Sequence, residues 1–208
     1  TYFQSINPPI SGEPNKPITV RAKNDGKAVI DGQGQRTPVE LGNSRPGGGS
    51  HFVFEGIVAR NSDGDVWFVR SAGVVMRRVS GYNASTDENS SVFTFWTKDS
   101  GLLEDCIAAG TGRKMILLYL SEKITVRRCF VQFQEWKGRN FCGVTWPNSE
   151  TVQIYNGSNN ILENIIATGP SPVWLLSVQA NADVAVAKNN KVLGSIAAGA
   201  GMGSDGSA

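Results

Sequence analysis

The 208-residue sequence has one histidine, His51, and three cysteines. A single His leaves no Ser-His-Asp or Cys-His chemistry unless His51 is the base. Its place at the head of an apolar run marks it instead as a packed or turn residue. Three cysteines without a C-x-x-C spacing make neither a zinc site nor a fully paired disulfide framework. Charge is sparse as well, at 18% of residues against roughly 25% in an average soluble protein. Lys and Arg number 20 and Asp and Glu 18, a net charge of +2, so no charge excess points to nucleic acid or an anionic membrane. The longest apolar stretch, Met115 to Leu120, is far short of the roughly 20 residues that span a bilayer. The opening residues, Thr1-Tyr-Phe-Gln-Ser5, have neither the basic nor the apolar region of a signal peptide, and read as a chain that begins inside a structural element.

What the chain does have is turns and short apolar runs. Its 24 glycines exceed the average share of roughly 7%, and 40% of residues are nonetheless hydrophobic. One pattern recurs: an apolar residue, two polar or small residues, an apolar residue. It reads Phe54-Glu-Gly-Ile57, Met76-Arg-Arg-Val79, Leu103-Glu-Asp-Cys106, Val126-Arg-Arg-Cys129, Leu162-Glu-Asn-Ile165 and Leu193-Gly-Ser-Ile196, with a weaker first copy from Ile30. A second apolar run precedes each copy: Val66–Val69, Val92–Phe95, Met115–Leu120, Phe141–Val144 and Val173–Leu176. Turn-forming clusters such as Asn61-Ser-Asp-Gly-Asp65, Gly81–Ser85 and Gly110–Gly112 separate them.

Two or three short strands per repeat, with no helical periodicity, describe one rung of a solenoid. The spacing predicts an all-β fold, a right-handed parallel β-helix of about seven rungs of 22–36 residues. Residues 1–200 form its single domain and Gly201 to Ala208 a flexible Gly/Ser tail. The period is too loose for a leucine-rich repeat, and a β-sandwich would not demand this register. Cys106 and Cys129 occupy the same position of successive copies and are expected to stack in the core as reduced thiols. Asn159-Asn160 and Asn189-Asn190 are expected to form a side-chain ladder.

Residues 11–34, which include Asn15-Lys-Pro-Ile-Thr-Val-Arg-Ala22 and Ala28-Val-Ile-Asp-Gly-Gln-Gly34, resemble the early rungs of the pectate-lyase-like right-handed β-helix superfamily. The similarity is nearest to its chondroitinase B and alginate lyase branch. On that resemblance Thr1-Tyr2 would be the remains of a Gly-Thr-Tyr segment, with at least one earlier rung outside the sequence. It also implies a secreted or cell-surface protein and a polysaccharide substrate. Lyases of this kind abstract the proton α to a uronate carboxyl with Lys or Arg, while Ca²⁺ or a second base neutralises the carboxylate. The stretch Glu150-Thr-Val-Gln-Ile-Tyr-Asn-Gly-Ser158 departs from that pattern. It has one acid where two should bind the metal, and no Lys follows it. Clustered Asp on adjacent rungs, as glycoside hydrolases need, is not visible in any column.

Strand alternation assigns an outward column of Arg70, Trp96, Tyr119, Thr145 and Ser177, with Lys98, Ser121 and Gln179 beside it. An aromatic, bases and hydroxyls in one groove suit a polysaccharide: rings stack, hydroxyls hydrogen-bond, uronates pair with Lys or Arg. Arg70, Trp96, Lys98, Tyr119 and Trp136 are the expected glycan-binding residues. Lys137 and Arg139, on the turn Gln134–Arg139, are the candidate catalytic bases. Asp63 and Asp65 carry the oxygens that Ca²⁺, the one cofactor to consider, would take. Two functions fit: an extracellular protein that associates with an acidic polysaccharide and cleaves it if a base is in place, or a structural surface protein whose uncapped rungs stack end to end with other copies.

Overall fold

The computed structural model describes residues 1–42, 48–137, 149–170, 174–181 and 187–199, together forming a right-handed parallel β-helix. Among the described residues there are twenty strands and no helix. In the first sheet run β1 (Ile18–Arg21), β4 (Phe52–Glu55), β7 (Val74–Arg77), β10 (Gly101–Glu104), β13 (Ile124–Arg127), β16 (Ile161–Glu163) and β19 (Lys191–Leu193). Around the corner lies the second, made of β2 (Ala28–Asp31), β5 (Ile57–Arg60), β8 (Ser80–Tyr82), β11 (Ile107–Thr111), β14 (Phe130–Glu135), β17 (Ile166–Thr168) and β20 (Ile196–Ala198). The third has β3 (Val39–Leu41), β6 (Trp67–Val69), β9 (Ser91–Phe95), β12 (Lys114–Tyr119), β15 (Glu150–Tyr155) and β18 (Trp174–Gln179).

The recurring four-residue pattern is the corner between the first and second sheets. Its third residue adopts positive φ in Gly56 (65°), Arg78 (51°), Asp105 (56°), Arg128 (51°) and Asn164 (52°), and in the last copy the second residue, Gly194 (56°), takes that place. That conformation costs a non-glycine residue about 1–2 kcal/mol, and ion pairs over the corner offset it. Arg78 Nε donates to Asp25 Oδ2 at 2.8 Å, and Arg128 Nε to Asp105 Oδ1 at 2.7 Å. Beside the corner, Arg21, Glu55, Arg77, Glu104, Arg127 and Glu163 stand in register as a column of alternating charge. Arg77, Arg128 and Arg127 together hold the Glu104 carboxyl at about 2, well below the usual carboxylate range.

Two copies sit elsewhere than the spacing indicates. Val192, not Leu193, is in register with Leu162, which turns Leu193 toward the position of Glu163. Ile196 pairs with the outward Ile166 and is exposed. Ile30 belongs to the second sheet, opposite Ala59, so it opens no corner at all. The Gly194-Ser195 pair has no side-chain pattern to fix register, so only pairing with the neighbouring rung sets Val192 opposite Leu162.

The core repeats from rung to rung. Trp67 stacks on Phe93 at 5.9 Å and meets the edge of Phe54 at 5.6 Å. These rings leave the facing column of the second sheet room for small residues only: Ala59, Gly81, Ala108. A Cβ on Gly81 would lie 2.5 Å from Val92 Cγ1, so Gly81 is a core strand residue and not the turn its neighbours suggested. Cys106 and Cys129 are free and buried at successive rungs, and burial pushes the Cys106 thiol up. The Asn ladder forms as expected: Asn189 Nδ2 donates to Asn159 Oδ1 at 3.2 Å, and Asn160 Nδ2 to Asn190 Oδ1 at 3.2 Å.

Candidate functional site

The third sheet alternates sharply. Trp67, Val69, Phe93, Phe95, Ile116, Leu118, Val152 and Ile154 are fully buried, so the residues between them face outward. Register then places Arg70, Trp96, Tyr119, Tyr155 and Gln179 in one outer column, and Glu40, Phe68, Thr94, Leu117, Gln153 and Ser177 in the next. Arg70, Trp96 and Tyr119 are thus neighbours as the alternation required. Ser177 belongs to the adjacent column, and Gln179 takes the place assigned to it. Thr145, with the whole run Phe141–Val144, lies outside the described residues. The strand at that rung is β15, whose Tyr155 the apolar-run pattern missed because Glu150–Tyr155 mixes polar and apolar residues.

The outer column is a row of touching rings. Tyr119 stacks on Tyr155 at 5.8 Å and 19°, and Trp96 stands edge-on to Tyr119 at 5.0 Å. Phe68 meets Trp96 at 6.5 Å. The Arg70 guanidinium lies 4.0 Å over the Trp96 ring and 5.0 Å over Phe68, a cation–π arrangement. Trp96 remains 38% exposed, which leaves ring surface for a ligand. Arg70 and Lys98 also line a 410 Å³ hollow with Ser50, Ser71 and Thr97 at one end of this row.

Toward the start of the strands the row opens into a cleft of 610 Å³. Its aromatic side is Phe68, Trp96, Tyr119 and Tyr155, and its polar end Asp65, Lys114 and Gln153. Asp65 Oδ1 accepts from the Ser91 N–H at 2.6 Å and the Thr94 hydroxyl at 2.9 Å. Burial lifts its carboxyl to about 6, against the pull of those two bonds and of the Lys114 charge. Lys114, almost fully buried, has Glu150 Oε2 at 3.5 Å. Burial pushes the Lys114 ammonium down to about 8 and raises the Glu150 carboxyl. Gln153 Nε2 donates to Glu150 Oε1 at 2.9 Å and to Gln179 Oε1 at 3.1 Å.

No protein-family model matches this chain, and no curated protein is significantly similar to it. Its chemistry therefore rests on the geometry alone. The remaining expected residues scatter. Trp136 packs at the cleft's edge, where Arg113 lies 5.6 Å over its ring and its Nε1 donates to the Glu88 carbonyl at 3.0 Å. Lys137 is exposed and faces Glu135 Oε1 at 3.6 Å. Arg139 lies outside the described residues. Asp63 is exposed on its turn while Asp65 points into the cleft. Among the described residues no group of three His, Cys, Asp or Glu side chains is placed to hold a metal ion.

The half-buried Asp65 and the buried Lys114 and Glu150 share no local motif, because each sits in a different rung, as many as 85 residues apart in the chain. The only available signal was the charged ends of β12 and β15, Lys114 and Glu150, which share a register position. Reading it required the correct strand on the β15 rung.

Proposed function

We propose that the outer face of the third sheet binds an acidic polysaccharide, and that the protein is an extracellular member of the pectate-lyase-like β-helix superfamily. The observation that carries this reading is the registered row of Trp96, Tyr119 and Tyr155 with Arg70 stacked at its end. Strands in a sheet lie about 4.8 Å apart, so successive rings match successive sugar units. Flat apolar ring faces favour the C–H faces of sugars, and Arg70 with Lys98 supplies the cations that uronate carboxylates require. Of the titratable groups on the cleft wall, Lys114 at about 8 remains an ammonium near neutral pH and Asp65 at about 6 is the carboxylate able to take a proton from a bound sugar.

The test is calorimetric titration with alginate, polygalacturonate and chondroitin oligosaccharides, followed by absorbance measurements for unsaturated products. Trp96→Ala and Tyr119→Ala are each expected to weaken binding about five- to tenfold, as loss of about 1 kcal/mol of ring contact predicts. Arg70→Ala should remove most of the salt dependence. Unchanged binding in all three variants would sink the reading.

A further inference from the structure

The second sheet carries on its outer side a surface that the glycan reading does not use. Register runs one outward column from Val29 through Ser80 to Ile107, Phe130, Ile166 and Ile196. Its first members are half-buried, whereas Ile107, Phe130, Ile166 and Ile196 are 38%, 40%, 44% and 56% exposed. Single exposed apolar residues are ordinary, but a contiguous row marks an interaction surface. On one side the row is bordered by Ala109, Gln132, Thr168 and Ala198, all uncharged. On the other lies the charged corner, and its order is uneven. Glu104 and Asp105 precede Ile107, Arg127 and Arg128 precede Phe130, Glu163 and Asn164 precede Ile166, and the neutral Leu193, Gly194 and Ser195 precede Ile196. Both arginines turn back toward the Ile107 rung, where each reaches Glu104 and Arg128 also reaches Asp105. Glu163 is left without an ion pair among the described residues.

A partner for this face must cover an apolar row, bring a cation to Glu163, and accept bases one rung earlier. A second copy of the same face meets all of these. With a two-fold axis running across the rungs, the row of one copy lies against the reversed row of the other. Ile107 then meets the partner's Ile196, and Phe130 meets the partner's Ile166. That axis keeps corner beside corner, so the bases of the Phe130 rung face the partner's Glu163, twice by symmetry. The acidic Ile107 rung falls opposite the neutral Ile196 rung, and no like charges meet. A two-fold along the solenoid would set each charged corner over the uncharged border of its partner and leave Glu163 unpaired. An anionic lipid surface would meet Asp105 and Glu163 with like charge.

We propose that the outer face of the second sheet is a self-association surface, on which a second copy packs antiparallel with Phe130 and Ile166 at its centre. This goes beyond the glycan reading and does not depend on it, since none of these residues lines the cleft of the third sheet. A row of this size offers a few hundred Å², below the roughly 800 Å² per partner of a standard interface. The dimer is therefore expected to dissociate at about 10–100 μM.

The experiment is sedimentation velocity on the intact protein across concentrations spanning that range. It should show a monomer–dimer equilibrium and nothing larger, because a two-fold contact closes on itself. Phe130→Glu is expected to weaken the dimer at least about tenfold, as loss of a central aromatic contact does. Glu163→Gln is expected to weaken it about fivefold, the worth of two surface ion pairs. Both side chains lie outside the core, so the melting curves should not change. Should Phe130→Glu fail to fold, Ile166→Lys makes the same test from the facing position. A monomer at every concentration, a dimer that Phe130→Glu leaves intact, or species that keep growing with concentration would overturn the proposal. A dimer that Phe130→Glu abolishes and Glu163→Gln leaves unchanged would overturn the antiparallel arrangement.

Discussion

At the scale of single residues, the position most sensitive to solution conditions is Asp65. Its folded carboxyl titrates at about 6, above the roughly 3.9 of an unfolded Asp. The folded state therefore binds more protons between these values, and Asp65 stabilises the fold most below about pH 4, a contribution lost as the pH rises through 6. Above that the charged carboxylate, with Glu40 also raising its proton affinity, burdens the cleft wall. Asp65→Asn is accordingly expected to gain about 1–2 kcal/mol on the wild type between pH 4 and pH 8. Urea unfolding at both pH values measures this, and a pH-independent difference would contradict it. Arg78 and Arg128 teach a related lesson. Each occupies a left-handed corner that glycine or asparagine would fill more easily, and each is held by carboxylates from earlier rungs: Arg78 by Asp25 and Glu55, two rungs and one rung before it, and Arg128 by Glu104 and Asp105 of the preceding rung.

At the scale of elements, the tight turns hold the rungs in step. Asn160 is fully buried where the turn enters β16. Its Oδ1 accepts from the Ile124 N–H at 2.9 Å, and its Nδ2 donates to the Ser121 carbonyl at 3.0 Å. The Asn190 side chain repeats the arrangement one rung later, with Nδ2 donating to the Gly157 carbonyl at 2.8 Å. Asn160→Ala leaves the buried Ile124 N–H without a partner, while the Ser121 carbonyl keeps the Ser158 N–H at 3.0 Å. The expected loss is about 1–3 kcal/mol, read by chemical denaturation, whereas Asn189→Ala on the exposed half of the ladder should cost under about 1 kcal/mol. Similar losses at the two sites would show that the ladder is not what ties these rungs.

At the scale of the whole molecule, every strand is paired in parallel with the next rung, so its contacts link residues one full coil apart. Such a solenoid opens in contiguous blocks of rungs. Cys106 and Cys129, both 2% exposed in the middle rungs, report on that opening. Their native alkylation is expected to be slow, to occur at both sites together, and to leave no disulfide under mild oxidation. Mass spectrometry after pulse labelling distinguishes this from rapid reaction at one thiol, which would indicate local fraying at that rung. A continuous apolar column, Ile107, Phe130, Ile166 and Ile196, runs exposed along the outside of the second sheet. Ile107, Phe130 and Ile166 each directly follow the inward last residue of a corner copy, so in the sequence they read as a continuation of the inward apolar run.

The solenoid, its corner motif, the stacked thiols, the Asn ladder and the head of the aromatic row were all legible in the sequence, because each depends on residues repeated at similar intervals and on strict alternation within strands. A repeat of side chains along the chain becomes a column in space as soon as parallel rungs stack, and no further information is needed. The register of the last rung and the strand on the β15 rung were not legible. There the apolar pattern is degenerate, and only hydrogen bonding to the neighbouring rung selects one alignment. The cleft is the clearest case of what tertiary structure alone decides. Asp65, Lys114 and Gln153 share no motif and no spacing; the stacking of rungs brings them to one wall, and desolvation there shifts the proton affinities of Asp65 and Lys114.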